Sequence, residues 1–521
     1  MDAGGIQILI AMAVYMAVVI CIGIYFAKRA NQSSDDYFLG GRSLGPWVSA
    51  MSAEASDMSG WLLMGLPGVA YWFGLADAAW TAIGLAIGTY LNWLVVSKRL
   101  RRYSEKAGNA ITLPDFFSNR FREDKKVLMT TAAAFILIFF TVYAASCFVT
   151  CGKLFSTLFG APYVAMMILG AVFVLIYTMV GGFLAESASD FMQGMVMIVS
   201  LLVVFVAGTA AAGGLGQMAE NVKNIPGFFE FFGIASPAMD ANGRQAVENA
   251  APVFNAAGTY GFITIVSTMA WGLGYFGMPH VLLRFMAIRN ENELTRSRRI
   301  AVVWVVIALG SAVFIGILGR ALFPTALGSY SESESVFIML ATHFFPPLLA
   351  GMVMAGILAA TISSSDSYLL IAASSLSKNI YQRLFRKSAS DKEIMTVSRI
   401  TLLTIALIAM LIALNENSII FTIVSFAWAG FGATFGPLML FSLFWKRINR
   451  AGAIAGMLGG GIMVFFWKLV IRPLGGAWNI YELLPAFLFS GLMIVVVSLL
   501  TAPPSDELQK EFEEVRAGKI F

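Results

Sequence analysis

Long apolar stretches recur along this chain of 521 residues, and they constrain its fold more than any other feature. A stretch of about 20 apolar residues is long enough to cross a bilayer as one helix. Hydrophobic residues make up 58% of the chain and charged residues only 12%, which is not typical of a soluble domain. We therefore expect an all-α polytopic membrane protein, with one membrane domain over residues 1–521. A window of roughly 20 residues predicts thirteen transmembrane helices, at 6–27, 44–73, 75–97, 127–157, 162–181, 190–212, 258–285, 300–322, 347–375, 396–414, 418–445, 451–471 and 482–501.

The distribution of positive charge predicts the orientation of these helices. Cytoplasmic loops of membrane proteins carry an excess of Lys and Arg. With the N-terminus outside, the cytoplasmic segments hold all 35 Lys and Arg residues except Lys153, Lys223, Arg244, Arg320, Lys468 and Arg472. We therefore expect an outside N-terminus and a cytoplasmic tail over 502–521. The net charge of +5 follows from these loops, so no nucleic-acid partner is expected.

One membrane-length segment contains an acid, serines and glycines. Residues 53–67 have the sequence AEASDMSGWLLMGLP, with Asp57 near the start. An ionisable residue at membrane depth is costly and therefore usually functional. Glycines and a terminal proline favour a helix that unwinds partway, which is tolerated in a membrane only where it lines a cavity or is buried in protein. The segment therefore predicts a site for an ion and a solute.

A second interrupted segment echoes the first. Residues 271–279 have the sequence WGLGYFGMP, and each of the two segments opens a set of five predicted helices. Two Gly- and Pro-interrupted spans at matching positions indicate inverted repeats with a site at the membrane midplane. We therefore expect repeats over 44–212 and 258–445. Helix 6–27 and the two helices over 451–501 then lie outside the repeats.

Four motifs carry a resemblance to a known family. GGRSLGP at 40–46, SDMSGWLLMGLPG at 56–68, WGLGYFGMPH at 271–280 and AWAGFGA at 427–433 resemble the sodium/solute symporter family, and within it the sodium/proline symporters. The resemblance runs from about residue 6 to residue 501 and implies a leucine-transporter-type fold. That fold has a 5+5 inverted repeat, here with one extra N-terminal helix and two extra C-terminal helices.

The same resemblance implies what the chain does. It implies secondary active transport in the plasma or inner membrane, in which L-proline is imported together with sodium by alternating access. A sodium- or proton-coupled symporter of another small solute is the alternative. The implied partners are L-proline, the coupling ion Na⁺ and the lipid bilayer, and no obligatory protein partner is expected.

Other classes of membrane protein are less consistent with the sequence. The chain has no HExxH motif and no phosphate-cradling loop, so we do not expect an enzyme. A pocket of aromatic residues at mid-membrane would obstruct a channel. No kinase module follows residue 501, which argues against a sensor.

A sodium site is implied at the first interruption. An unwound helix exposes backbone carbonyls that a dehydrated cation needs as ligands. The family pattern places the ligands at the carbonyls of Ala55 and Met58, and at Ala360, Ser363 and Ser364 of the ninth helix. Asp57 supplies negative charge, either by direct ligation or from an outer shell. The alternative for the serines is hydrogen bonding to their own helix.

A second acidic group is predicted near the cytoplasmic side. We expect Asp190, Asp366 and Ser367 to bind a second cation or to stage sodium release. The alternatives are solvation of Asp190 in a loop and polar helix packing for Asp366.

A solute site is implied beside both interruptions. The zwitterion of proline calls for backbone amides at its carboxylate, oxygen acceptors at its nitrogen and aromatic walls around its ring. The matching residues are Ser59, Trp61, Gly65, Tyr143, Trp271, Tyr275 and Pro279. The alternative for the Trp and Tyr residues is anchoring at the membrane interface. No role is expected for either histidine, His280 or His343.

Overall fold

A computed structural model describes residues 3–30 and 38–518 and is mostly helical. In these residues ten helices are long and apolar enough to cross a membrane, which confirms the all-α polytopic class. The predicted spans at 44–73, 162–181 and 258–285 coincide with helical segments that are broken or shorter. The count of thirteen therefore stays a prediction.

The helices follow one another along the described residues in chain order. They are α1 (Ala3–Ala30), α2 (Pro46–Gly60), α3 (Leu66–Phe73), α4 (Leu75–Leu91, continuing to Lys106), α5 (Leu113–Arg120), α6 (Val127–Phe159), α7 (Tyr163–Ala211), α8 (Leu215–Val222), α9 (Phe262–Met269), α10 (Pro279–Ala287), α11 (Leu294–Leu322), α12 (Tyr330–Ser333), α13 (Val336–Phe344), α14 (Pro347–Ser374), α15 (Asp391–Ile412), α16 (Ile420–Phe444), α17 (Arg450–Phe466), α18 (Leu483–Leu500) and α19 (Asp506–Arg516).

Two small antiparallel strand pairs lie between α8 and α9. Strand β1 (Gly233–Ile234) pairs with β4 (Gly258–Thr259). Strand β2 (Val247–Glu248) pairs with β3 (Ala251–Pro252). This segment is fastened to the helices by Arg320 near the end of α11, which donates a hydrogen bond to Gln245 Oε1 at 2.8 Å.

The second predicted span is broken where the sequence indicated. Ser59 has φ 39° and ψ −172°, a backbone conformation that is rare for any residue except glycine and costs about 1–3 kcal/mol. A π-helical turn over Trp61–Gly65 then leads into α3. Because such strain persists only where the surroundings enforce it, this break is a candidate functional feature.

The seventh predicted span is interrupted as well. After α9 the chain tightens into a 3₁₀ segment over Ala270–Gly277. Met278 is extended with ψ 110°, and α10 starts at Pro279. The conformations at Ser59 and Met278 confirm that both predicted interruptions are present.

Helix α14 is buried among other helices over most of its length. It packs against α1, α2, α6 and α7. Every residue from Val353 to Ser374 is buried, which the Ala, Gly and Ser residues of the helix allow because they let neighbouring helices approach closely. The helical run α7 is interrupted at Gly182, whose φ 71° and ψ 175° are not helical and need the conformational freedom of glycine, so that one span ends near Met179 and the next starts at Gly182.

Candidate functional site

The two helix interruptions face each other in the middle of the bundle. The hydroxyl of Tyr275, in the 3₁₀ segment, donates a hydrogen bond to Oδ2 of Asp57 on α2 at 2.7 Å. The rings of Trp61 and Trp271 lie with their centroids 5.5 Å apart. The structure therefore brings together two segments that are more than 200 residues apart in the chain.

Helix α14 contacts the α2 backbone just before its break. Ser363 Oγ donates to the Ala55 carbonyl at 2.8 Å and is also 3.2 Å from the Ala360 carbonyl of its own helix. The hydroxyl of Tyr368 donates to the Ser56 carbonyl at 3.0 Å. These contacts bring the Ala55 carbonyl next to Ser363 Oγ, which itself lies beside the Ala360 carbonyl, so three of the predicted sodium ligands are neighbours.

The remaining two predicted sodium ligands differ in their surroundings. Ser364 Oγ is fully buried and has no hydrogen-bond partner among the described residues, so it is available to a cation. The Met58 carbonyl accepts a hydrogen bond from the Trp61 backbone N–H. Met58 therefore lies at the break itself, but the structure shows no hydrogen bond between it and α14.

The Asp57 carboxylate is buried and held by two polar side chains. Tyr275 contacts Oδ2, and His280 Nε2 lies 3.2 Å from Oδ1. Tyr143 reaches the backbone instead, because its hydroxyl donates to the Asp57 carbonyl at 3.3 Å. No role was expected for His280 from the sequence, whereas the structure places it in contact with Asp57, the acid of the site.

Aromatic rings enclose the other side of the break. The Phe421 ring lies 5.9 Å from Trp61 and 5.2 Å from Trp271. Trp428 Nε1 donates to the Trp271 carbonyl at 2.8 Å, and its ring lies 5.0 Å from Tyr275. We call Trp61, Trp271, Phe421 and Trp428 the aromatic cluster. The interface-anchor alternative is wrong for Trp61 and Trp271, because both side chains are buried inside the bundle.

Small residues allow the aromatic cluster to close. A Cβ on Gly274 would lie 1.9 Å from Trp428 Nε1, so only glycine fits there. A Cβ on Gly65 would lie 3.2 Å from Trp61 and 3.5 Å from the Phe421 nitrogen. Gly65 and Trp61, which are both predicted solute residues, therefore both lie against Phe421.

Ser59 and Pro279 each mark a break. Ser59 Oγ accepts a hydrogen bond from the Trp61 backbone N–H at 3.2 Å, which helps to hold the strained turn. Pro279 occupies the first turn of α10, where a proline costs no hydrogen bond. The indole N–H of Trp61 has no partner among the described residues, and it can therefore serve a ligand.

The second predicted group forms a buried polar cluster. Ser52 Oγ donates to Asp190 Oδ2 at 2.7 Å. The Ser367 backbone N–H donates to Asp366 Oδ1 at 2.8 Å. Asp190 Oδ1 and Asp366 Oδ2 have no partner among the described residues. The loop-solvation alternative for Asp190 is wrong, because its side chain is fully buried.

Arg284 lies at the centre of this cluster, and the sequence analysis missed it. Its Nη2 donates to Ser367 Oγ at 2.9 Å, reaches Asp190 Oδ2 at 3.3 Å and pairs with Glu186. The charge distribution counted Arg284 with the positive charges of the cytoplasmic segments, whereas the structure buries its side chain fully among other helices. One feature of the sequence could have revealed it: Arg284 lies one helical turn after His280, at the end of an apolar segment.

Two relatives match the chain over almost its whole length. A profile of the family described as "SSF: Sodium:solute symporter family" matches residues 37–460. A sodium/proline symporter of Escherichia coli strain K12 is 41% identical over 513 residues, covering 98% of this chain and 96% of that protein. A sodium/proline symporter of Staphylococcus aureus strain USA300/TCH1516 is 40% identical over 516 residues, with the same coverage of 98% and 96%.

Solved structures share the fold. A Na⁺-coupled sialic acid symporter in a substrate-bound, outward-open state superposes with a TM-score of 0.71 at 19% identity, covering 96% of this chain and 99% of that chain. MhsT in complex with L-phenylalanine superposes with a TM-score of 0.52 at 13% identity, covering 87% and 97%. These likenesses confirm the leucine-transporter-type fold that the sequence predicted.

Proposed function

The chain belongs to the sodium:solute symporter family, and we propose that it imports L-proline together with Na⁺ by alternating access. It is a secondary transporter and not an enzyme. Proline as the solute is supported by the two sodium/proline symporters at 40% identity or more over nearly the full length. The observation that carries the mechanism is the contact between Ser363 on α14 and the Ala55 carbonyl next to the break of α2.

Sodium binds between α2 and α14 in this proposal. Its ligands are the carbonyls of Ala55, Met58 and Ala360 and the hydroxyls of Ser363 and Ser364. The unpartnered hydroxyl of Ser364 supports this assignment, since a buried polar atom without a partner is costly unless a ligand satisfies it. Asp57 is bonded to Tyr275 and His280, and it therefore contributes its charge from the outer shell.

Proline binds on the other side of the α2 break, beside the aromatic cluster. The unpartnered indole N–H of Trp61 and the broken backbone at Ser59 offer donors to the carboxylate. The rings of Trp61 and Trp271 form an apolar wall for the pyrrolidine ring. Tyr275 contacts both Trp428 of the aromatic cluster and the Asp57 carboxylate, and Tyr143 contacts the Asp57 carbonyl, so the solute and the ion share one polar boundary.

Asp190, Asp366 and Ser367 form a second place for a cation or a step on the path of sodium release. The two unpartnered carboxylate oxygens support this proposal. Because Arg284 and Glu186 lie in the same cluster, a cation that enters it meets one fixed positive and three acidic side chains.

The protein is a multi-pass membrane protein, and we place it in the plasma or inner membrane. The charge distribution of the sequence supports an outside N-terminus and a cytoplasmic C-terminus. In this orientation the short strands between α8 and α9 lie outside, and α19 lies in the cytoplasm. The repeats then cover 44–212 and 258–445.

Proline uptake by the purified protein in proteoliposomes tests the function. An inward sodium gradient is expected to drive accumulation of radiolabelled proline above equilibrium, and a sodium ionophore is expected to abolish it. A panel of unlabelled solutes identifies the substrate, and a proton gradient without sodium tests the alternative coupling ion. Accumulation driven by protons alone, or no competition by unlabelled proline, would contradict the proposal.

A further inference from the structure

One carboxylate outside the sites described above reaches the helix that carries Phe421. Glu334 follows α12, and its side chain is fully buried. Its Oε2 accepts hydrogen bonds from Lys153 Nζ at 2.7 Å and from the Ile420 backbone N–H at 2.9 Å. Its Oε1 accepts from the Phe421 backbone N–H at 3.0 Å. The carboxylate therefore joins α6 to the first turn of α16.

Helix α16 depends on Glu334 for its N-terminal cap. The first N–H groups of a helix have no partner within that helix, and a negative charge is favourable at this end. The residue before the helix, Ile419, is apolar and makes no side-chain cap. The two carboxylate oxygens of Glu334, 86 residues upstream of Ile420, accept from the N–H groups of Ile420 and Phe421 instead. The position of the first turn of α16 is thus set by a side chain of another element.

Phe421, in that first turn, is part of the aromatic cluster. Its ring is in contact with Trp61 and Trp271, at centroid distances of 5.9 and 5.2 Å. Its backbone lies close to Gly65, since a Cβ there would be 3.6 Å from the Phe421 Cα. A shift in the first turn of α16 therefore moves a wall of the proposed proline site.

Lys153 fixes the carboxylate from the opposite side. It lies on α6, the helix that carries Tyr143, and its ammonium also contacts the hydroxyl of Ser331 at 2.9 Å. Two buried charges that pair with each other and with further hydrogen-bonding groups hold a defined geometry. Glu334 is therefore held in place by Lys153 while it caps α16.

We propose that Glu334 is a positioning residue for the solute: it holds Phe421 against Trp61 and Trp271 and so sets the affinity for proline and the size of the ring that fits. The inference rests on the proposed function, because it takes the aromatic cluster as the wall of the solute site. Glu334 itself does not touch the solute. Its effect reaches the site through the backbone of α16.

The test measures proline uptake by Glu334→Gln and by a matched control, Glu332→Gln. Glu332 lies two residues earlier, is partly exposed and pairs with Arg244, so its loss does not alter the cap of α16. We expect E334Q to raise the KM for proline about tenfold, the effect of one lost charge-assisted hydrogen bond, with a smaller change in maximal rate. Discrimination against a six-membered-ring analogue is expected to weaken. The control should keep the wild-type KM.

Phe421→Ala and the double variant separate positioning from general stability. F421A should raise the KM and relax the ring-size preference as E334Q does, and the double variant should be no worse than F421A alone, because both act through one side chain. F421A retains Glu334 and the backbone N–H groups that Glu334 caps, so it also tests the inference if E334Q fails to fold.

Three outcomes would overturn the inference. They are an unchanged KM in E334Q with only a reduced maximal rate, additive effects in the double variant, and an unchanged KM in F421A. Absence of sodium-driven proline uptake in the wild type and in E332Q would instead contradict the proposed function.

Discussion

Removal of the Ser363 hydroxyl is expected to weaken sodium activation about tenfold. The hydroxyl donates to the Ala55 carbonyl at 2.8 Å, and its oxygen is a ligand when sodium binds. Ser363→Ala loses a contact to a charged group in the bound state, worth about 1.5–3 kcal/mol, and a neutral hydrogen bond in the free state, worth about 0.5–1.5 kcal/mol. The difference of about 1–1.5 kcal/mol corresponds to a factor of about ten.

The assay is a sodium titration of proline uptake in proteoliposomes at fixed proline. Ser365→Ala is the matched control, because Ser365 is equally buried but bonds only to the Thr361 and Ile362 carbonyls of its own helix. The half-saturating sodium concentration should rise in S363A and stay unchanged in S365A. An unchanged value in S363A, or an equal rise in both variants, would refute the sodium site between α2 and α14.

Three other substitutions test separate parts of the account. Tyr275→Phe removes the donor to Asp57 at 2.7 Å, so we expect a rise of about tenfold in the KM for proline, and an unchanged KM would contradict this role. Gly274→Ala places a Cβ 1.9 Å from Trp428 Nε1 and should destabilise the protein by about 1–3 kcal/mol in thermal unfolding, whereas Gly310→Ala, with nothing within 4 Å, should be neutral. Asp366→Ala should lower the Hill coefficient of sodium activation towards one. A wild-type Hill coefficient of one that this variant leaves unchanged would remove the second-cation version of the proposal.

The local features of the site could be predicted from the sequence. An acid, serines and glycines within membrane-length apolar segments are unusual enough to mark both breaks, at Ser59 and before Pro279. The structure confirms the breaks and the approach of Ser363 to Ala55. Such predictions succeed because polar groups at membrane depth are destabilising and are therefore found mainly where a function requires them.

The partners of the site residues could not be predicted in the same way. His280 meets Asp57 from 223 residues away, and Arg284 meets Ser52 from 232 residues away. Arg284 lies near a predicted membrane boundary, so in the sequence it looks the same as a charge in a loop. Only the contacts of the Arg284 side chain with Ser52 on α2 and with Glu186 and Asp190 on α7 distinguish a buried guanidinium from an exposed one.

The helix boundaries show a further limit of the sequence. Apolar windows separated the spans 162–181 and 190–212, and the structure does interrupt the helix at Gly182, but the second span starts there and not at residue 190. Hydropathy falls around Glu186 and Asp190, as it would in a loop. These residues are instead buried against Arg284, because a polar cluster inside a bundle lowers hydropathy just as a loop does.

A structure determined with sodium and proline bound tests the central claim most directly. The account predicts an ion in contact with the Ala55 carbonyl and Ser363 Oγ, and proline across the α2 break against Trp61 and Trp271. Proline bound away from the aromatic cluster would contradict it. So would an ion found only among Glu186 and its neighbours, with none between α2 and α14.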